Sequence, residues 1–275
     1  MTILVTGATG NAGGAVVRAL VAKGVPAKAL VRKAVELPAG VEAVVGDLNR
    51  PDTFVETFDG VSGLFLLSGY ERMDELLANA VEAGVRRAVL LSSSSVVGTD
   101  TDNAIAQYHG AAETAVRESG LEWTFLRPNS FMSNTLRWLD QLEAGEVVRL
   151  QFPEVPISTI HPDDIADVTV AALTTDGHAR TAYRLSGPVA LRPAEQLAIV
   201  AEAIGRPLRA DELSRAETHE ELFGSMPAQY AEAIEAFFGD GIIDETTVTD
   251  TVEKVTGHPA RTLQEWAREN AGLFG

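Results

Sequence analysis

The chain has 275 residues, 45% of them apolar and 22% charged, the balance of a soluble globular protein with room for a full core and an appended lobe. Its net charge of −17 repels phosphate backbones and speaks against nucleic-acid binding, and no apolar run approaches the roughly 18 residues of a membrane span. The absence of cysteine excludes disulfides, thiolate metal sites and a cysteine nucleophile, and fits a cytoplasmic location.

The start, MTILVTGATG, has no basic leader and no cleavage site, and reads as a first strand at Ile3 to Val5 rather than a signal peptide. Further short apolar runs follow at residues 27–31, 43–45, 64–67, 88–91 and 123–126. They are nearly continuous rather than alternating, as strands buried on both faces of a parallel sheet must be. Between most of them lie helical patterns: 12–22, with Val16, Val17, Leu20 and Val21 on one face; 73–83, with Leu76, Leu77 and Val81; and the alanine-rich 104–118. Strand–helix repetition of this kind predicts a doubly wound α/β sheet with right-handed crossovers. After residue 128 the pattern changes. A helix is expected over 130–142, short strands over 147–150, 157–160 and 182–185, and a helix from Pro162 to Leu173 that opens on proline and two acids. From Pro193 on the text is mostly helical, with helices expected over 194–204, 227–238 and 262–270. The expected layout is a sheet domain over 1–128 completed by 156–187, with a smaller, mostly helical substrate lobe from 129–155 and 188–275.

The chemistry begins at TGATGNAGG, directly after the first strand. Gly7, Gly10 and Gly13 give one glycine for a tight turn, one for close backbone approach to a pyrophosphate and one for helix–strand contact. The helix that follows points its free N–H groups at the phosphates. Thr6, Gly7, Thr9, Gly10, Asn11, Ala12 and Gly13 are therefore expected to hold a dinucleotide. An NAD site of this kind places an acid after the second strand to grip the ribose. Here Arg32 and Lys33 stand instead, and a guanidinium suits a 2′-phosphate, so NADP(H) is favoured and NAD(H) is possible. Asp47 and Leu48 end the third strand near an adenine edge, and Ser68 and Gly69 follow the fourth along the ribose and pyrophosphate path. Ser92 and Ser93 follow the fifth, at the carboxyl edge where open α/β sheets bind ligands.

With ALVRK, VVGDL, AVLLSSSSVVG, YHGAAETAVRESGLEWTFLRPNSFMSN and TGHPARTLQEWAREN added to the glycine loop, essentially the whole chain resembles the NmrA-like atypical short-chain dehydrogenases/reductases. The resemblance implies a Rossmann fold and either NAD(P)H-dependent reduction or dinucleotide sensing without turnover. It also implies that Pro128 and Asn129 flank the nicotinamide, and that Phe131 and Met132 face the substrate. Typical short-chain dehydrogenases use Y-x-x-x-K, in which lysine tunes the tyrosine that moves the proton. Tyr108 is in the right region, but Ala112 stands four residues on, and no lysine occurs between Lys33 and Lys254. What remains is Tyr108, His109 with Glu113 one helical turn on, and Ser94 near the usual serine. Trp138, Phe152 and Phe223 are further candidates for an apolar substrate wall, with a core role the alternative. His161 is read as structural, and no histidine spacing suggests a metal site. The reading is a reductase of a small apolar electrophile such as a quinone, conjugated carbonyl or polycyclic ketone, acting as a monomer or homodimer. The alternative is a regulatory dinucleotide sensor, and a nicotinamide-dependent isomerase or epimerase is a third class.

Overall fold

The computed structural model describes residues 1–98 and 102–274; residues 99–101 and 275, which fall within the expected first domain and lobe, lie outside the described residues. The chain runs β1 (Thr2–Val5), α1 (Asn11–Ala22), β2 (Ala27–Val31), β3 (Val41–Val45), β4 (Val61–Leu67), α2 (Met73–Glu82), β5 (Arg87–Leu91), α3 (Ala104–Glu118) and β6 (Glu122–Pro128). It continues through α4 (Leu139–Ala144), β7 (Val147–Leu150), α5 (Pro162–Thr174), β8 (Thr181–Leu185), α6 (Pro193–Ile204) and β9 (Arg209–Glu212). It closes with α7 (Arg215–Ser225), α8 (Ala228–Ile234), α9 (Thr251–Thr256) and α10 (Leu263–Glu269). Seven parallel strands form one sheet in the order β3-β2-β1-β4-β5-β6-β8, and β7 pairs with β9 in a separate parallel ribbon.

The continuous apolar runs are explained by the two faces. Ile3 and Val5 of β1 point to one side, where α1 and α5 pack, while Leu4 points to the other with Leu64 and Leu66 of β4 and Leu76 and Leu77 of α2. Most positions of the central strands are thus core positions. The exceptions are the two edge strands: β3 has no fully buried residue and β8 has only Leu185. A third apolar cluster lies away from the sheet, built from Met132, Trp138 and Leu142, from β7, from Leu197 and Val200 of α6, and from Leu263 and Trp266 of α10. Val252 of α9 instead packs into the α1–α5 cluster, so that late segment returns to the sheet.

Two expected elements take a different form. Residues 130–142 are a tight 3-10 turn over Met132–Trp138 before α4, and the Thr135 hydroxyl donates to the Met132 carbonyl at 2.8 Å, a local bond that competes with a regular helix start. Residues 157–160 form no ladder, only single bridges from Ile160 to Phe131 and from Ile157 to Leu191. A 3-10 segment over Pro51–Phe58, β9, α7 and α9 are elements without separate bounds in the expected layout, although Ser214 and Glu217 form a capping box at the start of α7.

Candidate active site

The strand order reverses beside β1, so the crevice at the carboxyl ends of β1 and β4 is where this topology receives a ligand. Gly7 turns with φ +61°, in the left-handed region open to glycine. At Gly13 a methyl group would run into the backbone carbonyls of Thr6 and Gly7, which have no room to yield. The N-terminal residue of α1 is capped by Gly10 with no side-chain bond, and the first turn holds no acid, so its N–H groups and dipole are left for an anion. Thr9, Gly10 and Asn11 are exposed at the rim, and Ala12 is buried beneath. Thr6 is buried, and its Oγ1 accepts from the Leu67 N–H at 3.1 Å, tying the ends of β1 and β4 together. Arg32 and Lys33 are exposed just past β2, with no hydrogen-bond or ion-pair partner among the described residues. Asp47 closes a small turn on the Asn49 N–H at 3.0 Å, and Leu48 leans on the α2-side core. This donor set fits a phosphorylated dinucleotide: bare amides for the pyrophosphate, free cations for a further phosphate.

At the carboxyl ends of β4, β5 and β6 the crevice opens into a cavity of about 410 Å³, lined by Ser68, Ser92, Ser93, Tyr108, His109, Pro128, Asn129, Phe131, Phe237, Phe238 and Glu245 among others. The Tyr108 hydroxyl donates to the Ser68 carbonyl at 2.7 Å, and its ring lies so close over Gly69 (φ +92°) that any side chain there would strike it. Burial pushes the phenol above its ordinary value, and no lysine opposes this. Ala112 is packed in the α2–α3 core, so the usual lysine position is itself a core position here. His109 Nδ1 lies 3.0 Å from the Ser68 hydroxyl, and the Tyr108 ring meets the imidazole edge-on. Burial drives the His109 pKa down to about 4 against the opposing pull of Glu113, so the ring is neutral near pH 7.

Glu113 does not orient that imidazole by a hydrogen bond. Its buried carboxylate takes both Arg127 nitrogens, at 2.8 and 2.6 Å, and the Ser92 hydroxyl at 2.7 Å, so Ser68 is the group that fixes His109. The Ser93 hydroxyl caps its own turn at Ser95. Ser94 reaches the cavity only through Glu245, to which it donates at 2.8 Å. Asn129 uses its amide internally, donating to Ser158 and to the Glu245 carbonyl. Of the two residues expected to face the substrate here, Phe131 lines this cavity, whereas Met132 is buried in the third apolar cluster and does not. Trp138 is buried in the same cluster yet shows an edge to a second, adjoining cavity of about 490 Å³, which Phe152 also lines from a left-handed backbone with φ +50°. Phe223 stacks on His219 of its own helix and lines neither cavity. His161 caps α5 by accepting from the Asp163 N–H at 3.0 Å.

Glu245 is the functional-site residue that sequence reasoning misses. It is buried and receives Ser94 Oγ, Ser130 Oγ and the Ser130 N–H, and burial raises its carboxyl against those bonds. It lies in an irregular segment, and a lone acid among many gives no signal.

Residues 7–176 match the NAD(P)H-binding family. The chain is 38% identical over 279 residues, covering 99% of both chains, to a (4-alkanoyl-5-oxo-2,5-dihydrofuran-3-yl)methyl phosphate reductase of Streptomyces griseus subsp. griseus. It is 37% identical over 284 residues, again 99% of both, to an NAD(P)H azoreductase of Xenophilus azovorans. Among solved structures, the Citrobacter sp. triphenylmethane reductase complexed with NADP(H) superposes with a TM-score of 0.74 at 26% identity over 98% of this chain and 99% of the other. An NmrA mutant shares the fold at a TM-score of 0.74 and 20% identity, over 99% of this chain and 95% of its own. The chain belongs to the NAD(P)H-binding family, and its fold is the one seen in NmrA. Within that class it is an NAD(P)H-dependent oxidoreductase.

Proposed function

We propose that this protein reduces a small, largely apolar, electron-poor substrate, a quinone or conjugated carbonyl, with NADPH preferred over NADH. The observation that carries the reading is the cavity of about 410 Å³ at the strand ends, where Phe131, Phe237, Phe238 and aliphatic side chains face serine, asparagine and histidine groups, beside the glycine-loop crevice. A pure sensor has no use for such a chamber. When bound, the dinucleotide supplies a hydride from its nicotinamide. Gly10, Asn11 and the first turn of α1 hold its pyrophosphate, and Arg32 and Lys33 receive the 2′-phosphate. Triphenylmethane reductase, similar in fold and in sequence, is described with NADP(H), which supports that preference.

The chain's own chemistry on the acceptor is modest. A neutral imidazole is a very weak acid, so His109 does not hand over a proton; it orients the acceptor as a hydrogen-bond donor. In the tautomer that serves this role the Ser68 hydroxyl turns from the Leu91 carbonyl, 3.3 Å away, to Nδ1 at 3.0 Å, and Nε2 carries the hydrogen and offers it to the acceptor oxygen. The acceptor gains one hydride at carbon and one proton, the latter from water in the open cavity. A conjugated acceptor spreads the charge formed, so a Tyr–Lys relay is dispensable. Tyr108 acts by shape, closing the wall beside His109. Purified protein mixed with NADPH and a panel of quinones should consume the reduced nicotinamide. No loss of its absorbance with any quinone contradicts the reading.

A further inference from the structure

The second cavity shares Ser130, Phe131, Asn134, Ile234 and Phe238 with the first, so the two chambers adjoin. It is lined in part by charge. Arg149 is already spent on Glu221 at 2.6 Å, and Glu221, which also accepts from Gln151 at 3.3 Å, is the one acid on this wall among the described residues. Arg137 has no counter-ion. It projects from the 3-10 turn between Met132 and Trp138, and it makes no hydrogen bond or ion pair with any described residue. Its side chain is exposed to the cavity, while neighbouring protein holds its pKa below the ordinary value by desolvation. In a chain of net charge −17, a cation that lines a chamber with no acid beside it is free to receive an anion from solution.

We propose that Arg137 anchors an oxyanion, a phosphate ester or carboxylate, carried on the far end of the substrate while its electrophilic end lies in the first cavity. The planar fork of donors matches either group, and Asn134, exposed on the wall shared by both chambers, stands between the two ends. The proposal rests on reading the first cavity as the reduction site. It makes the substrate amphiphilic: a flat conjugated head and an anionic tail.

Phenyl phosphate and benzoate, with benzyl alcohol as the neutral control, test it by calorimetry on protein saturated with NADP⁺, so that the glycine loop's own phosphate sites are filled. Phenyl phosphate should bind the wild type at least about tenfold more tightly than Arg137→Gln, as expected for a charge-assisted bond, with benzyl alcohol indifferent to the change. Arg137→Lys should recover part of the loss, and unchanged NADP⁺ affinity shows that the variants are folded. Benzoate binding as tightly as phenyl phosphate assigns a carboxylate tail; benzoate weaker by about tenfold assigns a phosphate ester. Equal phenyl phosphate affinity in wild type and Arg137→Gln, or no binding to either, overturns the anchor. Neither result depends on turnover, so a protein inert toward quinones would lose the reductase reading and still answer this question.

Discussion

Between Thr6 and Gly14 the crevice is built from backbone: a left-handed glycine, a glycine with no space for a methyl, and a helix start without a side-chain cap. Around the two cavities it uses side chains drawn from α3, the end of β6, the turn before α4, α7, α8 and the segment at Glu245. The first surface is set by the path of β1 and α1 and has little freedom to vary while the fold is kept. The second is assembled from positions far apart in the chain, each replaceable alone. One end therefore fixes the cofactor class, and the other is free to choose the substrate.

Substitutions separate the two ends. The largest effect is expected at Glu113→Ala, which leaves Arg127 and the Ser92 hydroxyl without their buried partner under the cavity floor. Breaking such a pair costs on the order of 3 kcal/mol, read as a lower urea midpoint, while NADPH affinity in the folded fraction stays within a few-fold. Gly13→Ala is the mirror case. Forcing a methyl against the loop carbonyls costs roughly 1–3 kcal/mol and displaces the phosphate amides, so NADPH binding by calorimetry should weaken about 30-fold or more. Arg32→Ala is smaller and selective: roughly tenfold or more off NADPH affinity and almost nothing off NADH. Equal loss for both cofactors would mean that Arg32 does not read the 2′-phosphate.

The last effect is read as a slope in pH rather than as an affinity. The His109 pKa falls from 6.5 when unfolded to about 4 when folded. The unfolded chain therefore takes up the proton first. The stability held by the neutral ring is whole above about pH 6.5 and drains away as the pH drops toward 4. Urea unfolding across that window should show a shallower fall for His109→Gln than for the wild type. Identical slopes would place His109 in a more open setting.

The backbone-built end was legible in the sequence because its requirements are local: three glycines at fixed spacing after a buried strand, then an amphipathic helix. The exposed position of Arg32 and Lys33 was legible for the same reason, since they follow β2 directly. The strands were legible because every side chain of β1 or β4 faces a core. The side-chain-built end was legible only in part: Ser68, Tyr108, His109, Asn129 and Phe131 do line the first cavity, but their partners could not be read. Glu113 is one helical turn from His109, which invites pairing, yet the tilt of α3 over β6 hands its carboxylate to Arg127, a long-range contact that no spacing encodes. Met132 and Phe131 are adjacent, and which of the two faces the cavity depends on a 3-10 turn that hydroxyl back-bonding sets. Glu245 reaches the site only because α9 docks on α5 and carries the preceding loop back to the sheet.

The central claim is direct hydride transfer to a conjugated acceptor without a tyrosine proton relay. NADPH bearing deuterium at both C4 positions of the nicotinamide, given to wild type and Tyr108→Phe with a conjugated carbonyl acceptor, measures it most directly. Deuterium should appear on carbon in the product, at a Tyr108→Phe rate within about tenfold of wild type, because a true general acid would contribute about 10²–10⁴. A product without deuterium, or a loss of about a thousandfold in Tyr108→Phe, would contradict the account.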